Sequence, residues 1–281
     1  MSTINKKYVI YQGSGGLVHM LGGLVYCIEW CIKNKHFLII DVKNHICFKH
    51  TFNKFFYIKE FNNYSEDYNV IPSTITHFHR ISLEVFNNNN ANLREGIPGY
   101  WINNNYYRVS NSLDSYKINE VIKIYIGHGG NNMYNIIKYI GINKEIVDSF
   151  IEKKLNIEYI GIHFRNTDRK NSINKFISEI NKNEKTFFSN TLYLATDDIN
   201  AYDNISKNIN KNIIQYTIPF NSNGLPIHFA NDNKMELIMN VLLDIYMLYY
   251  SNRFIPSPES LVSRLVLAMK RFNKTLWDQN I

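Results

Sequence analysis

Cysteine is scarce in this sequence. The chain has three in 281 residues, at Cys27, Cys31 and Cys47, and a small odd number does not form a disulfide framework. Cys27 and Cys31 lie four positions apart on an apolar stretch with helical periodicity, which is typical of core packing rather than of metal or redox chemistry. The small number of cysteines fits a reducing compartment, and we expect a cytoplasmic protein.

Long hydrophobic runs are also missing. The longest apolar stretch, residues 17–32, contains His19 and Glu29 and is too short and too polar to cross a bilayer. Residues 1–7 are polar and carry no hydrophobic region of the kind found in signal peptides. We therefore expect no membrane span.

Basic residues are scattered rather than clustered. The chain has 31 Lys and Arg against 24 Asp and Glu, which gives a net charge of +7. This balance favours an anionic ligand. A nucleic-acid binder would carry a dense basic block or stripe, and the sequence has none. We expect no nucleic-acid partner.

The second half of the chain alternates short apolar runs with helical patterns. Four strands are predicted, at residues 159–164, 191–195, 213–217 and 254–256. This order predicts a parallel sheet covered by helices. Together with the start of the chain, it predicts an α/β fold with two Rossmann-like domains, residues 1–156 and 157–281, that face each other across a cleft.

The chain starts with a predicted strand, a glycine-rich turn at residues 12–16 (QGSGG) and a predicted helix. A second strand then ends at Asp41. Three interpretations remain open: a dinucleotide-binding turn in which Asp41 holds a ribose, a turn whose backbone N–H groups approach a diphosphate or an acceptor, and a tight turn without a ligand. The first is weakened because Val18 replaces the third glycine of the dinucleotide pattern.

Polar side chains follow three of the predicted strands in the second half. These groups are His163, Arg165, Thr167 and Asp168; Thr196, Asp197 and Asp198; and Ser257, Glu259 and Ser260. Because the carboxyl ends of parallel strands share one edge, we expect the groups to converge there. A guanidinium, several hydroxyls and helix N-termini suit a nucleoside diphosphate. Arg165 would neutralise the phosphates, while Ser260 and Ser263 would donate hydrogen bonds.

Each of these residues also has a structural interpretation. Thr196 or Asp198 would cap the next helix, Asp168 would orient Arg165, and His163 would satisfy backbone groups. Adjacent side chains such as Asp197 and Asp198 are expected to point apart, so we predict no metal site there.

The three groups resemble the motifs of the GDP-fucose-dependent α1,6- and O-fucosyltransferases, and most closely the core α1,6- and nodulation-factor enzymes. The motifs read His163-x-Arg165-x-x-Asp168, Ala195-Thr196-Asp197-Asp198 and Ser257-x-x-Ser260-x-x-x-Arg264. Outside them, the resemblance extends to residues 242–245, to Gly15 and His19, and to residues 37–41. One departure is Asn166, where the core α1,6 enzymes carry a second arginine.

The resemblance implies a GT-B fold and an inverting transfer with no metal or other cofactor. It implies that Arg165 binds the β-phosphate of the donor and stabilises departing GDP, with His163 as the second catalytic candidate. The implied donor-binding residues are Gly15, Gly16, His19, Asp168, Thr196, Asp197, Asp198, Ser257, Ser260 and Ser263.

We therefore predict a glycosyltransferase that transfers a sugar to a hydroxyl group of a glycan or a protein. The predicted donor is GDP-fucose. The sequence does not determine the general base, for which His19, Glu95, Asp114 and His128 are candidates. Two alternatives remain: a catalytically inactive protein that binds nucleotide sugars or glycans, and an NAD(P)-dependent oxidoreductase.

Overall fold

The computed structural model describes residues 6–43, 45, 48–73, 77–78, 81–82, 92–94, 97–102, 105–108, 112–116, 121–127, 132–166, 172–183, 189–217 and 233–277. The chain divides into two compact units. Unit 1 comprises Met1–Asn143 with Leu276–Ile281, and unit 2 comprises Lys144–Thr275. Among the described helices, none is long and apolar enough to cross a membrane.

A four-stranded parallel sheet forms the centre of unit 1. Its strands are β1 (Tyr8–Tyr11), β2 (Phe37–Ile40), β4 (Tyr64–Ser65) and β10 (Ile122–Tyr125), in the order β10-β1-β2-β4. Every residue of β1 is buried, as expected for a strand covered on both faces. Helix α1 (Leu17–Asn34) follows β1 and ends where Lys35 adopts a left-handed conformation.

Short elements complete unit 1. They are β3 (Phe56–Ile58), β5 (His77–Phe78), β6 (Ile81–Ser82), β7 (Asn92–Arg94), β8 (Ile97–Ile102), β9 (Asn105–Arg108), α2 (Met133–Tyr139), β11 (Ile140–Ile142) and three 3₁₀ turns at Phe52–Lys54, Tyr68–Val70 and Leu113–Ser115. β3 pairs with β11, β5 with β6, and β7, β8 and β9 form a meander, all antiparallel.

Unit 2 also contains a four-stranded parallel sheet. Its strands are β12 (Ile160–Phe164), β13 (Thr191–Thr196), β14 (Asn212–Ile214) and β15 (Arg253–Ile255), in the order β14-β13-β12-β15. Its helices are α3 (Lys144–Ile151), α4 (Ile173–Asn183), α5 (Ala201–Asn208), α6 (Lys234–Tyr250) and α7 (Leu261–Phe272). Ile162 and Phe164 pack on Phe176 of α4, which forms the core on one face of the sheet.

The two sheets share one strand order. In each, the first strand is central, the next two lie on one side of it, and the last crosses to the other side. The order therefore reverses between β1 and β10 in unit 1, and between β12 and β15 in unit 2. Ligands of open α/β sheets bind at the carboxyl edge of such reversal points. The predicted α/β fold with two Rossmann-like halves is confirmed.

The bounds of the two units differ from the predicted division after residue 156. Helix α3 belongs to unit 2, where the Phe150 ring lies 5.7 Å from that of Tyr246. The chain later returns to unit 1, and the N–H of Ile142 donates to the carbonyl of Leu276 at 2.8 Å. Neither contact leaves a periodic pattern from which the sequence could predict the boundary.

Asp244 of α6 connects the helix to β13 and to the segment after β14. Tyr193 Oη donates to Asp244 Oδ1 at 2.7 Å, and Thr217 Oγ1 donates to the same carboxylate at 2.9 Å. Burial raises the pKa of Asp244 from 3.8 to about 7, although both hydrogen bonds oppose the shift. The folded protein therefore binds this proton more tightly than the unfolded chain does.

We expect Asp244→Asn to raise the melting temperature at pH 7.5 and to change it little at pH 5. The raised pKa means that the wild-type free energy of unfolding falls as the pH rises from about 4 to about 7. Asparagine keeps an oxygen for Tyr193 and Thr217 but cannot ionise. Differential scanning fluorimetry at both pH values measures the effect, with Asp148→Asn at an exposed position of α3 as the control. An equal loss of stability at both pH values would contradict the raised pKa.

Candidate functional site

Three strand ends meet at the carboxyl edge of the unit 2 sheet. In the register of the sheet, Phe164 of β12 pairs with Thr196 of β13, and Ile162 pairs with Ile255 of β15. The residues that follow these strands are therefore neighbours. This arrangement brings the described members of the three polar groups together at the reversal point between β12 and β15.

Serine side chains fix the end of β12 to the start of α7. The N–H of Arg165 donates to Ser257 Oγ at 3.2 Å, and the N–H of Ser257 donates to Ser263 Oγ at 2.9 Å. Ser260 is the N-cap of α7, where its hydroxyl accepts from the N–H of Ser263. All three serines are at most 2% exposed, so they form a rigid buried support under Arg165.

His163 belongs to the same buried network. Its Nδ1 lies 2.7 Å from Ser263 Oγ, and the residue is 9% exposed. Burial and the positive charge of Arg165 lower the pKa of His163 to about 3. His163 is therefore neutral at every pH at which the protein is expected to work. This makes it a poor general acid or base, and we expect it to position other groups.

The end of β12 is also tied to the end of β13 through Asn166. Its N–H donates to Asp197 Oδ1 and its Nδ2 donates to Asp198 Oδ2, both at 2.7 Å. Asp197 and Asp198 were expected to point apart, but both accept from this one residue. Among the described side chains, no group of three His, Cys, Asp or Glu has the proximity of a metal site.

Thr196 and Asp198 also shape the turn that enters α5. The N–H of Asp198 donates to Thr196 Oγ1 at 3.0 Å, and Asp198 Oδ1 accepts from the N–H of Asn200 at 2.9 Å. Both side chains hold the turn, but neither caps the helix as predicted: the N-cap of α5 is Asn200, which makes no side-chain cap hydrogen bond. Asp198 uses its second oxygen for Asn166, so the turn and the end of β12 share one carboxylate.

The side chain of Arg165 reaches towards Asp197 and is partly exposed. Its Nε lies 3.8 Å from Asp197 Oδ2, which is a long ion pair, and the side chain is 28% exposed. A partly exposed pair at this distance contributes little to stability. The geometry therefore holds the backbone of Arg165 in place and presents its positive charge at the carboxyl edge.

The glycine turn occupies the equivalent edge of unit 1. Gly13 and Gly15 have φ angles of 67° and 75°, which favour glycine. Gly16 precedes α1 and provides no side-chain cap. A Cβ added to Gly15 would lie 3.1 Å from His19, so the predicted residues Gly15, Gly16 and His19 lie together in unit 1.

Asp41 lies at the same edge, directly after β2. Asp41 Oδ2 accepts from Gln12 Nε2 at 2.7 Å and from Tyr68 Oη at 2.8 Å. Gln12 is the first residue of the glycine turn, so the carboxylate links this turn to the 3₁₀ turn that contains Tyr68.

Comparison with known proteins identifies the fold. No protein-family model matches the chain, and a sequence comparison with curated proteins finds no match. Solved structures do match. NodZ alpha-1,6-fucosyltransferase soaked with GDP-fucose superposes with a TM-score of 0.63 at 16% identity, over 94% of this chain and 92% of that one. POFUT1 in complex with GDP gives a TM-score of 0.57 at 11% identity, over 95% of each chain.

This chain has a fucosyltransferase fold. A mutant of Arabidopsis thaliana FUT1 in complex with GDP also matches, with a TM-score of 0.54 at 10% identity, over 94% of this chain and 69% of that one. The likeness to NodZ and POFUT1 covers more than nine tenths of each chain. The resemblance found in three short motifs thus extends to the course of almost the whole chain.

Within this fucosyltransferase fold, one predicted residue lies away from the carboxyl edges. Asp114, a candidate base, is exposed and accepts from Trp30 Nε1 at 2.7 Å. Trp30 lies in the second half of α1, 14 positions after Gly16, which is about 20 Å along the axis. Asp114 is therefore remote from the glycine turn. The predicted residues Glu95, His128, Thr167 and Asp168 lie outside the described residues.

The partners of Asp41 were missed by the sequence interpretation. Asp41 itself was recognisable, because a carboxylate directly follows a predicted strand. Tyr68 is 27 residues further along the chain, in a segment without clean periodicity, and no sequence signal connects the two.

Proposed function

We propose that this protein is a glycosyltransferase that transfers fucose from GDP-fucose to a hydroxyl group of a glycan or a protein. One observation carries the proposal: Arg165 lies on a buried serine support at the strand-order reversal of unit 2, in a chain with the fold of fucosyltransferases. One solved structure of NodZ was soaked with GDP-fucose, and one of POFUT1 is in complex with GDP.

In this proposal unit 2 binds the donor. Arg165 contacts the β-phosphate, because a guanidinium forms charge-assisted hydrogen bonds with phosphate oxygens. The N-terminus of α7 adds a partial positive charge. Ser257, Ser260 and Ser263 act mainly by holding Arg165 and His163 in place. Asp168, Thr196, Asp197 and Asp198 complete the nucleotide side of the site.

The proposed reaction is a direct displacement. An oxygen of the acceptor hydroxyl attacks the anomeric carbon on the side opposite the diphosphate, and the bond from that carbon to the β-phosphate oxygen breaks. GDP leaves with the electron pair, a base takes the hydroxyl proton, and the configuration inverts. Arg165 stabilises the charge that develops on the leaving group, so the reaction as proposed uses no metal ion.

Unit 1 is proposed to bind the acceptor, although the resemblance implied that Gly15, Gly16 and His19 of its glycine turn bind the donor. Its glycine turn, with Gly15, Gly16 and His19, brings backbone groups and one imidazole to the carboxyl edge of the sheet. The positive φ angles of Gly13 and Gly15 are compatible with close approach of a ligand to the backbone. The base belongs to this unit in the proposal, since unit 2 provides the leaving-group contacts.

A thermal-shift screen with GDP, UDP, NAD and single-stranded DNA tests the donor assignment. We expect GDP to raise the melting temperature, because a ligand that binds only the folded state stabilises it. Stabilisation by NAD but not by GDP would support an oxidoreductase and overturn the proposal. A GDP-release assay with GDP-fucose then tests turnover, and tight GDP binding without release would indicate an inactive binding protein.

A further inference from the structure

Asp41 of unit 1 has an unused oxygen in a buried position. The residue is 4% exposed, and its Oδ2 already accepts from Gln12 and Tyr68. Oδ1 is buried and has no hydrogen-bond partner among the residues that the structure describes. Buried acceptors in folded proteins are almost always paired, because an unpaired one costs free energy. Oδ1 can therefore accept one more hydrogen bond.

The surroundings of Asp41 restrict the kind of group that can donate a hydrogen bond to Oδ1. Within the described part of the chain, no Lys, Arg or His nitrogen forms an ion pair with Asp41, and both of its donors are neutral. A phosphate would be repelled by the carboxylate. A divalent cation needs several oxygen ligands. The described residues include no group of three His, Cys, Asp or Glu side chains that could hold a metal ion. A hydroxyl of a neutral ligand meets the requirement.

Open space lies beside the glycine turn that Gln12 begins. A Cβ added to Gly16 would meet no atom of the described residues within 4 Å. Gly13 and Gly15 adopt positive φ angles that turn the backbone at this point. The turn follows β1 and Asp41 follows β2, the neighbouring strand. Both therefore lie at the carboxyl edge of the sheet, where ligands of α/β folds bind.

We propose that Asp41 Oδ1 accepts a hydrogen bond from a sugar hydroxyl, and that Asp41 and the turn at residues 12–16 form a saccharide-binding subsite. Its identification with the acceptor site rests on the proposed function, whereas saccharide binding itself does not. The ribose of a dinucleotide offers the same hydroxyl chemistry. That source is disfavoured because Val18, with a buried side chain, occupies the position of the third glycine.

Asp41→Asn is the informative variant. Its amide oxygen still accepts from Gln12 and Tyr68, while an NH₂ group replaces Oδ1 and changes an acceptor into a donor. The probes are methyl α-D-mannopyranoside, methyl β-D-galactopyranoside and N-acetylglucosamine, titrated by ligand-observed NMR on the full chain. We expect the wild type to bind at least one of them saturably, and Asp41→Asn to bind it at least tenfold more weakly.

Control variants separate this subsite from the donor site. Tyr68→Phe removes a donor to Oδ2 and leaves Oδ1 in place, so it should change saccharide affinity by less than about threefold. Asp41→Asn should bind GDP as the wild type does, measured by calorimetry, whereas Arg165→Ala should lose GDP and keep the saccharide. Asp41→Ser, which removes both carboxylate oxygens, replaces the asparagine variant if the latter does not fold.

Four results would contradict the proposed saccharide-binding subsite. They are no saccharide binding by the wild type, equal binding by the wild type and Asp41→Asn, binding of NAD that is lost in Asp41→Asn, and binding of Ca²⁺ that is lost in Asp41→Asn. Saccharide binding that depends on Asp41 in a protein that does not bind GDP would support the subsite and reject the proposed function alone.

Discussion

Arg165→Ala should lower the rate of sugar transfer about 10²- to 10³-fold, which corresponds to roughly 2.7–4 kcal/mol of lost transition-state stabilisation. The guanidinium is the positive charge that the buried serine network places at the reversal point of unit 2. Charge on the departing diphosphate increases as the bond to the sugar breaks. Loss of the arginine therefore affects kcat as well as donor affinity.

The fold should tolerate this change. The ion pair of Arg165 with Asp197 is long, at 3.8 Å, and pairs of this kind contribute less than about 1 kcal/mol. The hydrogen bond from the backbone N–H of residue 165 to Ser257 Oγ is kept in the variant. We therefore expect an unchanged circular dichroism spectrum, and the melting temperature of the variant measures what the other contacts of this side chain contribute.

Two further variants make the measurement specific. Arg165→Lys keeps the charge but loses the planar fork that matches phosphate, so its rate should lie between those of the wild type and Arg165→Ala. Arg253→Ala removes an arginine from the first residue of β15, at the opposite edge of the same sheet, and should keep the wild-type rate. Full activity of Arg165→Ala in the GDP-release assay would refute the role given to this residue.

The convergence of distant polar groups could be predicted because it follows from topology. The backbone of Arg165 and the hydroxyl of Ser257 are 92 residues apart in sequence and 3.2 Å apart in space. Strand–helix alternation requires parallel strands, and parallel strands place their carboxyl ends on one edge. No side-chain coordinates are needed for this step, and the apolar runs of β12 and β13 are long enough to be recognised.

The individual contacts at that edge could not be predicted. Asn166 uses its backbone and its side chain to bind two adjacent carboxylates, which depends on the conformation of two turns. The sequence indicated only that Asn166 replaces an arginine of the core α1,6 enzymes. The structure shows that a neutral side chain, which donates hydrogen bonds, links the ends of β12 and β13. This position therefore carries no second positive charge.

The antiparallel part of unit 1 was missed for a different reason. Most strands there, such as β3, β5 and β7, have two or three residues, too few for an alternating pattern to stand out. The longer parallel strands β12 and β13 were predicted to within one residue of their observed ends, whereas the strand predicted at residues 213–217 is observed at Asn212–Ile214. Tyr68, which binds Asp41, lies in this short-element region and was missed with it.

His163→Asn should remove a large acid-dependent loss of stability. In the folded protein the pKa of His163 is lowered from 6.5 to about 3. Below pH 6.5 the unfolded chain takes up this proton and the folded protein does not, so the free energy of unfolding falls as the pH falls from 6.5 towards 3. At about 1.4 kcal/mol for each pH unit, the wild type should lose roughly 3 kcal/mol through His163 between pH 6.5 and 4.5.

Asparagine is the matched replacement for this test. Its amide reaches the position of Nδ1 and either donates to or accepts from Ser263, but it does not titrate. We expect His163→Asn to be less stable than the wild type at pH 7.5, where it lacks part of the buried ring, and to lose less stability on acidification. Urea unfolding at pH 7.5, 6.0 and 4.5 measures both effects, and the difference between the two pH slopes is the result.

The other titrating groups cancel in that difference, because both proteins carry them. His50→Asn is the control: its ring is less buried and its pKa is lowered less far, so this variant should keep nearly the wild-type slope. Parallel curves for the wild type and His163→Asn would mean that His163 is protonated in the folded state. If the slopes differ as expected, His163 stays neutral throughout the working pH range. A limb of the pH–rate profile near neutrality would then belong to another group.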